Sequence, residues 1–214
     1  MPLSAIVMQH SLLIQLDKHP QERDLIGKLI LAYGELEFML LDMVRATLGE
    51  NHDEDPNTTV TAVRILYRLR SEANRLSVAD AIIRPKMAAH DLLKPYCEAF
   101  QAIFACKNIR NRYAHGQFVS IKGHLRIGDL DAVAKTTGPE VQINFQLLTL
   151  EHLKKEFEYF AYAEHTLIHA TNQLRLKTGQ KLPLGAVIPK PQKIPAPKLG
   201  NRPKVRSPQG KKKA

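Results

Sequence analysis

The segment of residues 110–116 combines three side chains that can act together on a phosphodiester. Its sequence is Arg-Asn-Arg-Tyr-Ala-His-Gly, so a fixed cation (Arg110) and a neutral amide (Asn111) precede a titratable imidazole (His115) by about one helical turn. A guanidinium stabilises negative charge on phosphate oxygens, and an imidazole moves protons near neutral pH. These residue types and their spacing therefore indicate binding and cleavage of a phosphodiester.

An Arg followed within a few residues by a His is a weak signal by itself, because the chain contains it three times. The other two are Arg45 with His52 and Arg84 with His90. Only the third has Asn directly after the Arg and lies wholly within one predicted helix end. Position, more than spacing, makes residues 110–115 the candidate motif.

The motif also interrupts the apolar stripe of the helix that carries it. At about 100° per residue, Asn111 and His115 share a face with Phe100 and Phe104. A stripe that faced the core would bury an amide and an imidazole, which costs free energy unless they are paired. A stripe that faced a cleft or a subunit interface would present them to a ligand.

Arg110 points about 100–140° away from both Asn111 and His115. A two-fold dimer could therefore bring Arg110 of one chain beside His115 of the other.

Four helical stretches and a short β region are predicted to position the motif. The helices cover about residues 20–48, 58–85, 86–115 and 149–176. Pro20 suits a first helical position and Gly49 a helix end, while Pro85 ends the second helix and Pro95 bends the third. In the last helix the residues expected to face inward are Leu153, Phe157, Phe160, Leu167 and Leu174.

Residues 117–146 change period and predict two or three short antiparallel strands. Val119 and Ile121 share one face, and Val141, Ile143 and Phe145 alternate with polar residues. The expected fold class is therefore mainly α, with a small antiparallel β insertion before the last helix. We divide the chain into an N-terminal segment (1–19), a helical domain (20–176) and a tail (177–214).

The positive charge of the chain lies in this tail. The net charge is +10, but 11 of the 31 Lys and Arg residues lie in 177–214, without any Asp or Glu, which leaves residues 1–176 at −1. The tail also holds 7 of the 13 prolines and no aromatic residue, too little apolar area to offset the entropy of ordering it. We predict a disordered Pro/Lys-rich basic tail that either only aids solubility or attracts RNA, DNA or an acidic partner. Its candidate nucleic-acid-binding residues are Lys198, Arg202, Lys204, Arg206, Lys211, Lys212 and Lys213.

Other classes of function find little support in the sequence. No apolar run reaches the roughly 18–20 residues needed to cross a bilayer, so we expect no membrane partner. Cys97 and Cys106 are too far apart along one predicted helix to form a disulfide, which fits reduced thiols in the cytoplasm. His165 and His169 lie one turn apart but lack a third ligand nearby, and we expect neither a metal nor a cofactor.

Arg110-Asn111, three residues, then His115, at the end of a long helix in a small helical domain, resembles the HEPN superfamily. Members of that superfamily are four- to five-helix bundles that pair so that two motifs line one cleft. Many are metal-independent endoribonucleases of toxin–antitoxin, phage-defence and RNA-processing systems, and others have lost catalysis and only bind. The resemblance spans residues 20–176, its specific part is the motif alone, and the basic tail is not part of the family pattern.

The resemblance implies a role for each residue of the motif. His115 would act as base on the ribose 2′-hydroxyl or as acid to the leaving 5′-oxygen, and Arg110 would stabilise the charge of the transition state. Asn111 would orient His115 or donate to a phosphate oxygen. The products would be a 2′,3′-cyclic phosphate and a 5′-hydroxyl. The alternative is a structural cluster of Arg, Asn and His that caps the helix.

Three further residues are supporting candidates. Glu37 lies on an otherwise apolar helix face, where we expect it to be buried and paired, with Arg110 as one partner. Arg112 is expected to face solvent or a phosphate. Tyr113 either stacks on a base or packs against the protein.

The sequence thus predicts a cytoplasmic, homodimeric HEPN-type RNA-binding protein that acts as an endoribonuclease, as a toxin or phage-defence effector, with an antitoxin protein as a candidate partner. The alternative is a non-catalytic dimeric module that contacts nucleic acid or protein through its basic tail.

Overall fold

A computed structural model describes residues 12–49, 56–128, 143–182 and 189–199. In chain order the elements are α1 (Leu12–Asp17), α2 (Pro20–Leu48), α3 (Pro56–Tyr67), α4 (Glu72–Ala89), α5 (Leu93–His115), β1 (Gln117–Ile121), β2 (His124–Gly128), β3 (Phe145–Leu147) and α6 (Leu150–Lys177). The described chain is therefore mainly helical, with a small antiparallel sheet before the last helix, as the sequence predicts.

The first long helix, α2, has the predicted bounds. Pro20 occupies its first position, where a missing N–H costs nothing. Gly49 ends it in the left-handed conformation, with φ +80°, and donates its backbone N–H to the Ala46 carbonyl. The inward face is a buried leucine-rich stripe that packs against α5 and α6.

The predicted second helix is two helices in the structure, and the third begins later than predicted but ends at His115, as predicted. The chain breaks at residues 68–71, so that α3 and α4 are separate helices. Pro85 does not end α4, because it lies on an exposed face and the helix continues to Ala89. The stop comes at Asp91, whose φ of +60° turns the chain out of the helix. Pro95 then lies in the first turn of α5, which tolerates proline, and not at a bend in its interior.

The β region is a hairpin with a third short strand. In the hairpin Ile121 pairs with His124, and Lys122 and Gly123 form the two-residue turn with φ of +52° and +76°. Strand β3 joins β2 antiparallel but spans only Phe145–Leu147. The predicted strand residue Val141 lies outside the described residues.

The last helix, α6, begins where the sequence predicts. The Thr149 hydroxyl caps it by accepting from the His152 backbone N–H at 3.2 Å. Most of the predicted inward residues are buried, but the Phe157 side chain is 40 % exposed, and Glu156 takes the inward position instead. At the far end, the buried Arg175 binds both oxygens of Asp42 on α2, at 2.8 and 2.9 Å.

The prediction of a disordered tail does not hold for residues 189–199. Helix α6 ends at Lys177, within one residue of the predicted end, and residues 189–199 lie against α5 and α6, with Ile194 and Leu199 partly buried on the core. Residues 183–188 and 200–214 lie outside the described residues. Among the helices that the structure describes, none is both long and apolar enough to cross a bilayer.

Gly116, directly after α5, provides a test of how tightly the motif-bearing helix meets the sheet. A Cβ at this position would lie 2.5 Å from both the Arg112 carbonyl oxygen and the Ile127 side chain. We expect Gly116→Ala to lower the free energy of unfolding by about 1–3 kcal/mol, measured by urea denaturation. The control is Gly34→Ala in α2, where a Cβ meets nothing within 4 Å and should raise stability by up to about 1 kcal/mol. Equal effects of the two substitutions would contradict the packing described for Gly116.

Candidate active site

Arg110 is held on the body of the protein by three contacts. Its Nη2 forms an ion pair with Glu72 at the start of α4, and its Nη1 donates to the Asn111 side-chain oxygen at 2.7 Å. The guanidinium also lies over the Tyr33 ring, 5.5 Å from its centre. The Arg110 side chain is 26 % exposed. It is therefore fixed in direction while part of it still faces solvent.

The contact with Arg110 also fixes the orientation of the Asn111 amide. A guanidinium can only donate hydrogen bonds, so the Asn111 atom that faces it must be the carbonyl oxygen. The amide NH₂ of Asn111 then points away from Arg110. Since Asn111 is half-buried, these two donors can serve a ligand on the outer face of α5.

A second ion pair lies beside the first. Glu37 accepts from Arg75 Nη2 at 2.7 Å and Nε at 3.0 Å, and Arg75 also donates to the Leu69 carbonyl. Glu37 is therefore paired, as the sequence predicts, but its partner is Arg75 and not Arg110, which pairs with Glu72. The sequence did not reveal Glu72 and Arg75 because the break at residues 68–71, which brings the start of α4 to this site, was not predicted.

The two ion pairs surround a buried phenol. The Tyr33 side chain is 1 % exposed, and its hydroxyl has no hydrogen-bond partner among the described residues. Burial, followed by the carboxylates of Glu37 and Glu72, raises the pKa of Tyr33 well above its ordinary value. Tyr33 is therefore neutral at physiological pH, and the charges of the two arginines and two glutamates balance.

His115 lies on the surface of the protein, whereas Arg110 is held by three contacts. His115 is the last residue of α5 and is exposed, and its side chain forms no hydrogen bond or ion pair with the described residues. Phe104, on the same stripe, is 48 % exposed. The stripe is therefore not buried in the core, and its facing a cleft or a subunit interface stays a prediction. The structure brings Arg110 and Asn111 together, but it directs Arg110 toward α2 and α4, away from the solvent-facing side that carries His115.

The remaining motif residues bind a buried carboxylate on α6. Glu156 has no exposed surface, and it accepts from Arg112 Nη2, from the Tyr113 hydroxyl and from His152 Nε2, the last at 2.9 Å. The expectation that Arg112 faces solvent or a phosphate is wrong, because its guanidinium is turned inward to Glu156. Tyr113 is 3 % exposed and stacks on Phe118, so the packing alternative describes it and base stacking does not.

The spacing of apolar residues in α6 indicates that position 156 faces inward, although the prediction gives this position to the neighbouring Phe157. Glu156 lies three residues after Leu153 and four before Phe160, both buried, so it belongs to the inward stripe of α6. The prediction assigns the inward position to Phe157 because Phe157 is apolar. A carboxylate on an apolar stripe indicates buried donors nearby, and Arg112 and Tyr113 are those donors.

A cavity of about 260 Å³ lies beside this cluster. It is lined by Arg112, Ile127, Gln146 and Leu199. Leu199 belongs to the C-terminal segment, so a residue that follows α6 in the chain lines this cavity together with Arg112 of α5. Of the predicted tail residues, Lys198 is described and exposed, and the six from Arg202 to Lys213 lie outside the described residues.

The described residues provide no metal site. They contain no group of three His, Cys, Asp or Glu side chains that could hold a metal ion. Comparison with known proteins adds no relative: no family model, no curated protein and no solved structure matches the chain.

Glu156 should be the residue on which the motif end of α5 depends for stability. Glu156→Leu leaves the Arg112 guanidinium and the His152 ring without their buried acceptor, and we expect it to cost about 3–5 kcal/mol in urea unfolding. Glu151, exposed and paired with Lys155 one turn away, is the matched control, and Glu151→Leu should leave stability unchanged. A Glu156 variant as stable as the control would show that the cluster is incidental.

Proposed function

We propose that the chain is a HEPN-type, homodimeric RNA-binding protein that cleaves RNA without a metal and leaves 2′,3′-cyclic phosphate and 5′-hydroxyl ends. The observation that carries the proposal is the end of α5, where Arg110 and Asn111 are joined by a hydrogen bond and His115 faces solvent with no partner in the described chain. A role in the cytoplasm as a toxin or phage-defence effector, neutralised by an antitoxin protein, belongs to the same proposal.

The proposal assigns the proton transfers to His115. Its imidazole forms no hydrogen bond within the described chain, so either ring nitrogen can accept the proton of a ribose 2′-hydroxyl or donate one to the leaving 5′-oxygen. Attack of the 2′-oxygen on phosphorus forms the cyclic phosphate as the bond to the 5′-oxygen breaks. Asn111, one turn before His115 on the same face, can donate its amide N–H to a non-bridging phosphate oxygen.

Arg110 would stabilise the negative charge of the transition state. A guanidinium has five N–H donors, and the contacts with Glu72 and Asn111 leave some of them for a phosphate. Because Arg110 and His115 point to different sides of α5, we propose that each site takes Arg110 from one protomer and His115 from the other. The exposed apolar side chains Leu93 and Phe104, on the face that also carries Asn111, support an interface with a second copy.

The second candidate is a non-catalytic module that binds RNA or a partner protein. The ion pair of Arg110 with Glu72 favours this candidate, because it neutralises the cation that catalysis would need. In this case the exposed His115 would have no role in chemistry, and binding would depend on the basic residues near the C-terminus.

Removal of the His115 imidazole should abolish cleavage and leave the fold intact. We expect wild-type protein to cut mixed RNA in the presence of EDTA and His115→Ala to cut at least 100-fold more slowly, since general acid–base catalysis contributes roughly 10²–10⁴-fold. The matched control is His124→Ala, because His124 is also an exposed histidine but lies in the β hairpin. Equal cleavage by both variants would exclude His115, and no cleavage by folded wild type would favour the non-catalytic module.

A site shared between protomers should show complementation. Arg110→Ala and His115→Ala are each expected to be inactive, but their heterodimer contains one site with both residues intact. After subunit exchange at equal concentrations we expect about a quarter of wild-type activity, because half of the dimers are mixed and each has one working site of two. A mixture that stays inactive while mixed dimers form would show that each site lies within one chain.

A further inference from the structure

The cavity beside Arg112 combines aliphatic walls with polar side chains. Of the described residues that line it, Ile127 and Leu199 are aliphatic, and Arg112 and Gln146 are polar. Ligand sites in proteins have this composition, because apolar walls provide contact area and a few polar groups fix the orientation of the ligand. Its volume of about 260 Å³ lies just below the roughly 300–1,000 Å³ of sites for whole small molecules. The cavity therefore suits a single flat ring system.

Arg112 presents hydrogen-bond donors that are held in place and not all used. Its Nη2 donates to Glu156, and its guanidinium carbon lies 5.3 Å from the centre of the Tyr113 ring. Its Nε is buried without a hydrogen-bond partner, and Nη1 forms no hydrogen bond with the described residues. A guanidinium has five N–H donors and no acceptor. A ligand that meets Arg112 must therefore present acceptors.

The charge beside the cavity favours a neutral ligand over an anion. The charges of Arg112 and Glu156 cancel, and Glu156 has no exposed surface, so that water does not screen it. A phosphate or carboxylate bound to Arg112 would lie close to this carboxylate and be repelled by it. The favoured ligand is therefore uncharged where it meets Arg112, although it accepts hydrogen bonds there.

Gln146 adds a group that both donates and accepts. It lies half-buried in β3, where it is the register partner of Ile127 in β2, so both residues occupy the same point of the sheet. Its side-chain amide forms no hydrogen bond with the described residues. A carboxamide offers one oxygen acceptor and two N–H donors. A ligand edge that places a donor next to its acceptors can therefore be bound by Gln146 and Arg112 together.

Among the four RNA bases, guanine has the edge that fits these groups. Its O6 and N7 are adjacent acceptors, which a guanidinium binds as a pair, and its N1–H donor lies next to O6. Adenine and cytosine place an amino donor where guanine has O6, and this donor would face the donors of Arg112. Uracil has an acceptor at O4 but no second acceptor equivalent to N7. The polar groups of the cavity thus select guanine.

We propose that the cavity binds a guanine base of a single-stranded RNA, with Arg112 donating to O6 and N7 and Gln146 accepting from N1–H. This inference rests on the proposed function and names the nucleotide that the site selects. Arg112 precedes His115 by three residues, about 4.5 Å along the axis of α5 and about 60° around it. A guanine in the cavity would therefore leave its sugar and phosphate beside the exposed imidazole. A base can enter such a cavity only when it is unpaired, which restricts the ligand to single strands.

The first experiment tests the guanine edge atom by atom. In the His115→Ala background, which by the proposed function does not cut its ligand, the affinity for a fluorescent oligocytidine with one central guanosine is measured by anisotropy. The same strand is prepared with adenosine, uridine or 7-deazaguanosine at this position, the last of which lacks only the N7 acceptor. We expect the guanosine strand to bind about tenfold more tightly than each of the other three, because a good pair of hydrogen bonds to a base edge discriminates by roughly 5–150-fold.

Two variants assign this preference to the cavity. Gln146→Leu keeps the size of the side chain and removes its polar atoms, whereas Arg112→Lys keeps a cation for Glu156 and loses the guanidinium donors. We expect each to lower the preference for guanosine about fivefold and to leave the affinity for the adenosine strand unchanged. The matched control is Gln117→Leu, an exposed glutamine of β1, which should bind all four strands like the parent. Urea unfolding verifies that the variants are folded, and Gln146→Leu decides if Arg112→Lys is not.

Guanosine 5′-monophosphate separates two sources of the same base. We expect it to compete only weakly with the guanosine strand, because it lacks the rest of the RNA. Tight binding of the mononucleotide that Gln146→Leu weakens, with no difference among the four strands, would assign the cavity to a free nucleotide and overturn the inference.

Failure of the inference differs from failure of the proposed function. RNA binding with equal affinity for the four strands, or a preference for guanosine that both cavity variants retain, would overturn the inference and leave the proposed function standing. Absence of RNA binding by the folded chain would overturn the proposed function, and the inference with it.

Discussion

The structure depends on a carboxylate that has no access to water. Glu156 lies within the inward stripe of α6, and a charge in this position is tolerable only because Arg112, Tyr113 and His152 surround it with donors. Two of these donors belong to the last turn of α5. The cluster therefore fixes where α5 ends, and with it the position of His115, the start of the sheet at Gly116 and the place where Leu199 docks. A core of leucines alone would not impose this register between α5 and α6.

Around this fixed end, the motif divides according to which side of the helix each residue occupies. Arg112 and Tyr113 face inward and stabilise the fold. Arg110 faces α2 and α4, where Glu72 and the Tyr33 ring hold it. Asn111 lies at the boundary, and His115 faces solvent. Five of the six positions from 110 to 115 thus serve packing, orientation or exposure, and within one protomer Arg110 and His115 are not joined into one cleft.

Local signals predicted the parts of the fold that local physics determines. Pro20 and Gly49 bound α2, Thr149 caps α6, and the period change after Gly116 marks the hairpin. Signals that depend on the tertiary structure failed. Pro85 predicts a helix end, but in the structure it lies within α4 on an exposed face. The composition of the tail predicts disorder, yet the groove beside Ala102 and Ala105 supplies the apolar contacts that residues 189–199 lack by themselves.

The same distinction applies to the site. Helical geometry predicts that Asn111 and His115 share one face, and in the structure His115 is exposed and Asn111 half-buried. The partners of Arg110 and Arg112 could not be predicted, because Glu72 and Glu156 reach them from other helices, and in each case one error of local structure hid them. The break before α4 concealed Glu72, and the choice of the apolar Phe157 concealed Glu156.

The most direct measurement of the central claim follows the fate of a single 2′-hydroxyl. An RNA with one mapped cleavage position is compared in EDTA with the same strand carrying a 2′-deoxy sugar at the nucleotide 5′ to the cut. The account predicts that the all-ribose strand is cut to a 2′,3′-cyclic phosphate and that the substituted strand survives at that position. Cleavage of the substituted strand, or 3′-hydroxyl ends from the all-ribose strand, would contradict it.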